Sequence, residues 1–253
     1  MAEAVSDESL ARALGLYAAM VGQVLGDPAR WLGLDDDPPP SAGLPVRVLD
    51  ALRDRAFGEV NPASPTWSDQ PLAKRVDWWV RRIGISAGLA AAAPRLAGAL
   101  SDRLPLQAAL GASAAGLAVC ATAREHGRTE PADWVPLLAK VLFDRELVAA
   151  PATVPSEQET QSRLADPVDG EDQAEVSRMA KLGRGAQTAG RTLWRLARAF
   201  LGIQGLLDQR PRGSIFARGL GKLPVVGLAG GWLDERGGIR RAAKETRTLL
   251  GDS

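Results

Sequence analysis

The sequence is poor in the residues that build disulfides, metal sites and nucleophilic active sites. Its 253 residues include one Cys and one His, and only 5% of them are aromatic. A single Cys excludes a disulfide framework, and a single His excludes a metal site with several imidazole ligands. A formal charge of +1 argues against a protein that coats nucleic acid over its whole surface, so we expect no nucleic-acid partner.

What the chain does contain is typical of a globular protein. It is 45% hydrophobic and 24% charged, and it is long enough to bury a sizeable core. Arg supplies 26 of the 31 basic residues, which together with abundant Ala and Gly points to the codon usage of a GC-rich bacterium. Met1 is followed by acidic residues where a secretory signal is basic. We therefore expect a cytoplasmic location, with membrane association left open.

The sequence offers no complete catalytic motif. Cys120 and His126 are the only candidates for a thiolate–imidazole pair, and six helical residues place them about 240° apart around the axis. We predict that Cys120 is a core residue and that His126 lies in the last turn of a helix, with Gly127 just beyond it. We expect no cofactor and no metal. An enzyme that uses carboxylates stays open, since Asp and Glu are too common to single out.

Apolar residues recur at helical spacing along most of the chain, and no alternating strand pattern stands out. The fold class predicted is all-α, a multi-helix bundle with a flexible acidic linker and a Gly-rich C-terminal helical segment. In the helix that starts near Pro71, the apolar stripe is expected to lie away from Arg82. The predicted helices cover residues 9–25, 46–57, 71 onward, two helices within 83–123, 131–147, 182–207 and 239–250.

One acidic stretch divides the chain. Residues 151–175 hold seven acidic residues and one basic residue, and their few apolar side chains cannot offset the entropy lost on ordering. The predicted organisation is an N-terminal helical part, 1–150, a flexible linker, 151–175, and C-terminal helices, 176–253, that pack on the same domain.

The stretch after this linker has the opposite charge. Residues 176–222 hold ten basic residues and one acidic residue, and between 182 and 207 the apolar side chains fall on one side of a helical wheel. Such a basic amphipathic helix suits an anionic membrane or an acidic protein partner. An ordinary helix with its arginines in water is the simpler alternative. The candidate contact residues are Arg184, Arg191, Trp194, Arg195 and Arg198.

A second segment raises the question of a membrane span. Residues 104–123 are uncharged but rich in Ala and Gly, so their hydrophobic drive is weak. A buried helix of a bundle is favoured, and a hairpin that dips into a bilayer is the alternative.

Two short motifs resemble the EcsC family. They are Ala-Arg-Glu-His-Gly-Arg-Thr-Glu-Pro at 123–131 and Lys-Leu-Pro-Val-Val-Gly at 222–227, followed by Gly230, Gly231 and a helix that carries Arg240. The Ala- and Gly-rich region 84–117 is similar to that family too. The resemblance implies a helical, membrane-associated protein with no assigned catalytic residues.

Three classes of function remain open. The first is a non-catalytic, EcsC-like helical protein that acts peripherally at a membrane or on a membrane complex. The second is a soluble adaptor or scaffold that binds an acidic protein partner through the basic helix face. The third is an enzyme that uses carboxylates.

Overall fold

The computed structural model describes residues 7–32, 60–95, 104–147, 154–165, 184–208 and 231–251. Within these ranges, the side chains of 32, 85–95, 104–108, 165, 184–187, 202–208 and 231–236 are outside the description. The described part of the chain forms eight helices and no strand, which confirms the all-α prediction. The helices are α1 (Asp7–Gly26), α2 (Pro28–Leu32), α3 (Leu72–Arg95), α4 (Leu104–Glu125), α5 (Pro131–Phe143), α6 (Glu157–Ala165), α7 (Arg184–Asp208) and α8 (Gly231–Leu249).

Helix α4 lies at the centre of the bundle. It contacts α1, α3, α5, α7 and α8. These five also contact one another in turn, α1 to α5, α5 to α8, α8 to α3, α3 to α7 and α7 back to α1, so they close a ring around α4. The two short helices lie outside this ring, with α2 and α6 each against α1 and α7.

The composition of α4 explains its central place. Every residue from 109 to 123 is buried except the half-buried Gly111. A helix that is apolar on all sides has to be covered on all sides. Its many small Ala and Gly residues let five neighbouring helices approach closely. One close approach is that of Tyr17 on α1, which lies over Gly116 and donates a hydrogen bond to the carbonyl oxygen of Ser113 at 2.5 Å.

The end of α4 follows from its local sequence. Gly127 has a left-handed φ of 84°, which glycine adopts without strain. Its N–H donates to the carbonyl oxygen of Arg124, and the N–H of Arg128 donates to that of Ala123, at 2.9 and 3.0 Å. These two bonds form a Schellman motif, which satisfies carbonyl groups left unpaired at a helix end. The prediction that His126 lies at a helix end is confirmed.

Most of the predicted helices are present with shifted ends. The predictions for 9–25, for the helix near Pro71 and for 131–147 correspond to α1, α3 and α5, and the closing helix begins at Gly231, eight residues earlier than predicted. Val76, Trp79 and Ile83 form the predicted buried stripe of α3. Arg82, expected to lie away from that stripe, is buried as well. The predicted helix 46–57 lies outside the described residues.

The linker prediction is wrong for part of its length. Residues 157–165 form helix α6, which packs on α1. Its Thr160 and Leu164 are buried, with exposed fractions of 1% and 0%. Thr160 and Leu164 are four residues apart, so they lie on one face of the helix. Ser156 begins α6 as a capping residue, because its side-chain oxygen accepts a hydrogen bond from the N–H of Glu159. The rest of 151–175, apart from 154–156, lies outside the described residues.

The helices after the acidic stretch pack against helices before it. Both α7 and α8 contact α4 and α3. Thr192 on α7 donates a hydrogen bond to the carbonyl oxygen of Trp31 on α2 at 2.7 Å. In the part of the chain that the structure describes, no helix combines the length and the apolar character needed to cross a membrane.

Candidate functional site

Helix α7 carries the candidate residues and is fixed on its inner side. Leu193, Leu196 and Phe200, three of the residues predicted to form its apolar side, are fully buried. The Phe200 ring stacks on Phe143 of α5 and meets Tyr17 of α1 edge to face, with centroid distances of 5.8 and 5.7 Å. Contacts to two different helices fix the rotation of α7, and its basic residues are thereby directed away from the core.

Three of the predicted contact residues lie together on the outer part of α7. Arg198 is exposed, and Arg191 and Arg195 are half-buried. Their spacing of four and three residues puts the three on one helix face. Arg195 and Arg198 also make interactions within the chain. Arg184 is the first residue of α7, but its side chain lies outside the described residues. We call Arg191, Arg195 and Arg198 the α7 basic face.

The prediction for Trp194 as a surface contact is wrong. Its side chain is only 1% exposed, so it presents no ring to a membrane or a partner. The helical wheel placed Trp194 at the border between the apolar and basic sides. Because α1, α2, α3 and α4 all contact α7, the buried part of this helix is wider than the apolar residues alone suggest, and the border position is covered.

The structure adds a second basic face that the sequence analysis did not assign. On α8, Arg240, Arg241 and Lys244 are exposed, while Ile239 and Ala243 are buried. We call these three residues the α8 basic face. The alternation of buried and basic positions at helical spacing was a signal available in the sequence, although Arg240 was considered only as part of the family resemblance.

The two basic faces lie on helices that flank the same neighbour. Helix α3 contacts both α7 and α8, so these three helices are consecutive members of the ring. Together they contain 14 basic and 5 acidic residues, a net charge of +9. Helices α1, α5 and α6 together contain three basic and five acidic residues, a net charge of −2. The positive charge of a chain that is nearly neutral in total is therefore concentrated on three consecutive helices of the ring.

The chain was compared with known proteins at three levels. No protein-family model, no curated protein and no solved structure matches it. The resemblance to the EcsC family therefore stays a prediction. Of its two motifs, the first spans the described end of α4 and start of α5, and the second, at 222–227, lies outside the described residues.

The most elaborate polar cluster in the described residues surrounds Glu125, the last residue of α4. Its carboxylate accepts hydrogen bonds from the indole N–H groups of Trp79 and Trp67 at 2.8 and 3.2 Å, and it pairs with Arg75 at 3.1 Å. The side chain of Glu125 is 7% exposed. Three donors compensate the burial of its charge, and the cluster ties α3 and the segment before it to the end of α4. This arrangement is structural, because its donors already occupy the carboxylate.

The remaining chemical candidates have ordinary structural roles. Cys120 is fully buried, as predicted, and burial raises the pKa of its thiol well above the ordinary value. A thiol with a raised pKa is a poor nucleophile. The Nδ1 atom of His126 lies 2.7 Å from the carbonyl oxygen of Thr122 in the preceding turn. Among the described residues, no cluster of three or more His, Cys, Asp and Glu could hold a metal ion.

Proposed function

We propose that this chain is a non-catalytic helical protein that attaches peripherally to an anionic membrane surface through the α7 basic face. The observation that carries the proposal is the one-sided distribution of charge on α7. Arg191, Arg195 and Arg198 lie opposite a fully buried side, and the sequence from 184 to 207 contains four basic residues and no acidic one.

The proposed attachment is electrostatic. Each Lys or Arg close to an anionic bilayer contributes about 1 kcal/mol, and the attraction falls off within a Debye length of about 8 Å at physiological ionic strength. The half-buried arginines can still take part, because a long side chain can bury its aliphatic stem and keep its guanidinium in water. The burial of Trp194 removes the aromatic anchor expected on this face, so binding should depend strongly on salt.

The same burial favours one alternative. A basic face without an exposed aromatic ring also fits an acidic protein surface, which requires charge but no insertion into lipid. A protein of this second kind is an adaptor, and it differs from the first in its response to vesicles.

The experiment is flotation of the full chain with phosphatidylcholine vesicles that either contain or lack phosphatidylserine. We expect binding only to the anionic vesicles and release as salt rises. The α7 variant Arg191→Gln/Arg195→Gln/Arg198→Gln should lower the partition coefficient by up to about a hundredfold, from about 1 kcal/mol per charge. A variant with Lys at the same three positions keeps the charge and should keep the binding.

A matched control removes three charges from helices that carry neither basic face. It replaces one exposed or half-buried basic residue on each of α1, α5 and α6, namely Arg12→Gln/Lys140→Gln/Arg163→Gln. Each of these residues forms a surface ion pair within the chain, and such pairs contribute little stability. If wild type ignores anionic vesicles, or if this control loses as much binding as the α7 variant, the proposed function is wrong.

A further inference from the structure

The α8 basic face lies on the exposed side of a helix whose other side is buried in the bundle. Arg240, Arg241 and Lys244 are exposed on the same helix whose other side buries Ala242 and Thr246. The hydroxyl of Thr246 donates a hydrogen bond to the carbonyl oxygen of Ala242 at 2.8 Å, so this buried polar group is satisfied within its own helix. Helix α8 packs on α4, and Arg240, Arg241 and Lys244 are left exposed.

Helix α3 joins this face to the α7 basic face. It contacts both helices and carries Lys74 and Arg81 at exposed positions. Its contribution is smaller than that of its neighbours, because Asp77 is exposed as well and pairs with Arg81 at 3.8 Å. The basic surface formed by these three helices therefore has two margins, the α7 basic face and the α8 basic face, and a weaker middle on α3. On α8 the exposed Glu245 offsets one of the three positive charges.

The width of this surface indicates the kind of partner it fits. Packed helices lie about 8–10 Å apart, so the outer two of three neighbouring helices are separated by up to about 20 Å. A single phosphate group reaches one margin only, whereas a bilayer presents anionic headgroups across the whole width. Helices α1, α5 and α6 carry a net negative charge and would be repelled by the same bilayer, which favours an orientation with α3 towards it.

We propose that the anionic membrane surface contacts both margins at once, so that Arg240, Arg241 and Lys244 form a second half of the binding surface. This inference rests on the proposed function, because it names a further part of the same contact. It assigns to α8 a role as large as that of α7, with the two margins acting together across α3.

The test uses the full chain with an α8 variant, Arg240→Gln/Arg241→Gln/Lys244→Gln, in the same flotation assay. At about fivefold per charge, this variant should lower the partition coefficient into anionic vesicles by up to about a hundredfold. The control variant should stay within about twofold of wild type. Combining the α7 and α8 substitutions should abolish binding. Circular dichroism and urea midpoints matching wild type ensure that a loss of binding is not a loss of folding, and a variant with Lys at 240 and 241 should bind like wild type.

The outcomes distinguish a failure of the inference alone from a failure of the proposed function. If the α7 variant loses binding and the α8 variant behaves like the control, the inference is overturned and the proposed function stands. If the α8 variant loses binding and the α7 variant does not, the assignment of the contact to α7 is wrong, and the inference that both margins bind at once is overturned with it. If a soluble polyglutamate peptide binds wild type as tightly as the vesicles do, the membrane is the wrong partner and both fail.

Discussion

Replacing Gly116 with Ala is the sharpest test of how closely the ring helices approach α4. A Cβ atom at this position would lie 2.8 Å from the Oη and 2.9 Å from the Cε1 of Tyr17. Neither contact is tolerable, and the Tyr17 ring has no free space to enter, because it is fully buried and packs edge to face on Phe200. The substitution therefore has to displace α1 or break the hydrogen bond from Tyr17 to Ser113.

The expected loss of stability follows from three opposing effects. Overpacking a closely packed core costs about 1–3 kcal/mol, and weakening a hydrogen bond from a buried hydroxyl costs about 1 kcal/mol. Against these, Ala favours a helix over Gly by about 1 kcal/mol. The net expectation for Gly116→Ala is a decrease of about 1–3 kcal/mol in the free energy of unfolding.

Gly111 provides the matched control on the same helix. A Cβ atom there has no neighbouring atom within 4 Å, so Gly111→Ala should show the helix preference alone and raise the free energy of unfolding by about 0.5–1 kcal/mol. Urea denaturation of both variants measures the difference. If Gly116→Ala is as stable as Gly111→Ala, the close approach of Tyr17 to α4 is wrong.

Two further substitutions test the polar cluster and the unexpected helix. Glu125→Gln keeps an oxygen for the indole N–H of Trp79 but removes the charge opposite Arg75, so it should lower the free energy of unfolding by about 1–3 kcal/mol in urea; an unchanged midpoint would show that the carboxylate charge is irrelevant. Leu164→Ala should cost about 2–4 kcal/mol by leaving a cavity under α6, whereas Gln161→Ala, at an exposed position of the same helix, should cost less than about 0.5 kcal/mol. Equal effects of the last two would mean that α6 does not pack on α1.

Residue periodicity was enough to predict the amphipathic helices. In α3, buried residues at 76, 79 and 83 follow the spacing of one helix face, and the same holds for 189, 193, 196 and 200 in α7. These helices each have an apolar side that water disfavours, and the spacing of that side is a property of the sequence alone. The central helix α4 was recognised differently, through its lack of charge and its small residues.

Average composition gave a wrong prediction for the acidic stretch, because two of its residues are buried. The stretch 151–175 is strongly acidic, yet Thr160 and Leu164 are enough to place one short helix on α1. An averaged charge describes the solvated side of α6 and conceals its buried side. Whether two residues can hold such a helix depends on the surface that α1 offers them, and that surface is a tertiary property.

The number of helices that contact each helix could not be predicted from the sequence either. Trp194 and Arg82 both lie beside the apolar stripe of an amphipathic helix, and both are buried. A helical wheel assumes one interface, whereas α7 contacts five helices and α3 contacts three. Residues at the border of a stripe are then covered by a second or third neighbour, whatever their own polarity.

The basic surface depends on the order of the helices around the ring. Along the sequence, the positive charge is concentrated in 176–222, directly after an acidic stretch, and that order suggests a single basic helix with an acidic neighbour. In the fold, α7 instead lies beside α3, which precedes it by about a hundred residues, and α3 lies beside α8. Charges from distant parts of the chain are therefore added on neighbouring helices of the bundle. Attraction to an anionic surface depends on the charge within a Debye length of that surface, so the charge that matters for the proposed contact is that of neighbouring helices, and this is why we include α8 in it beside α7.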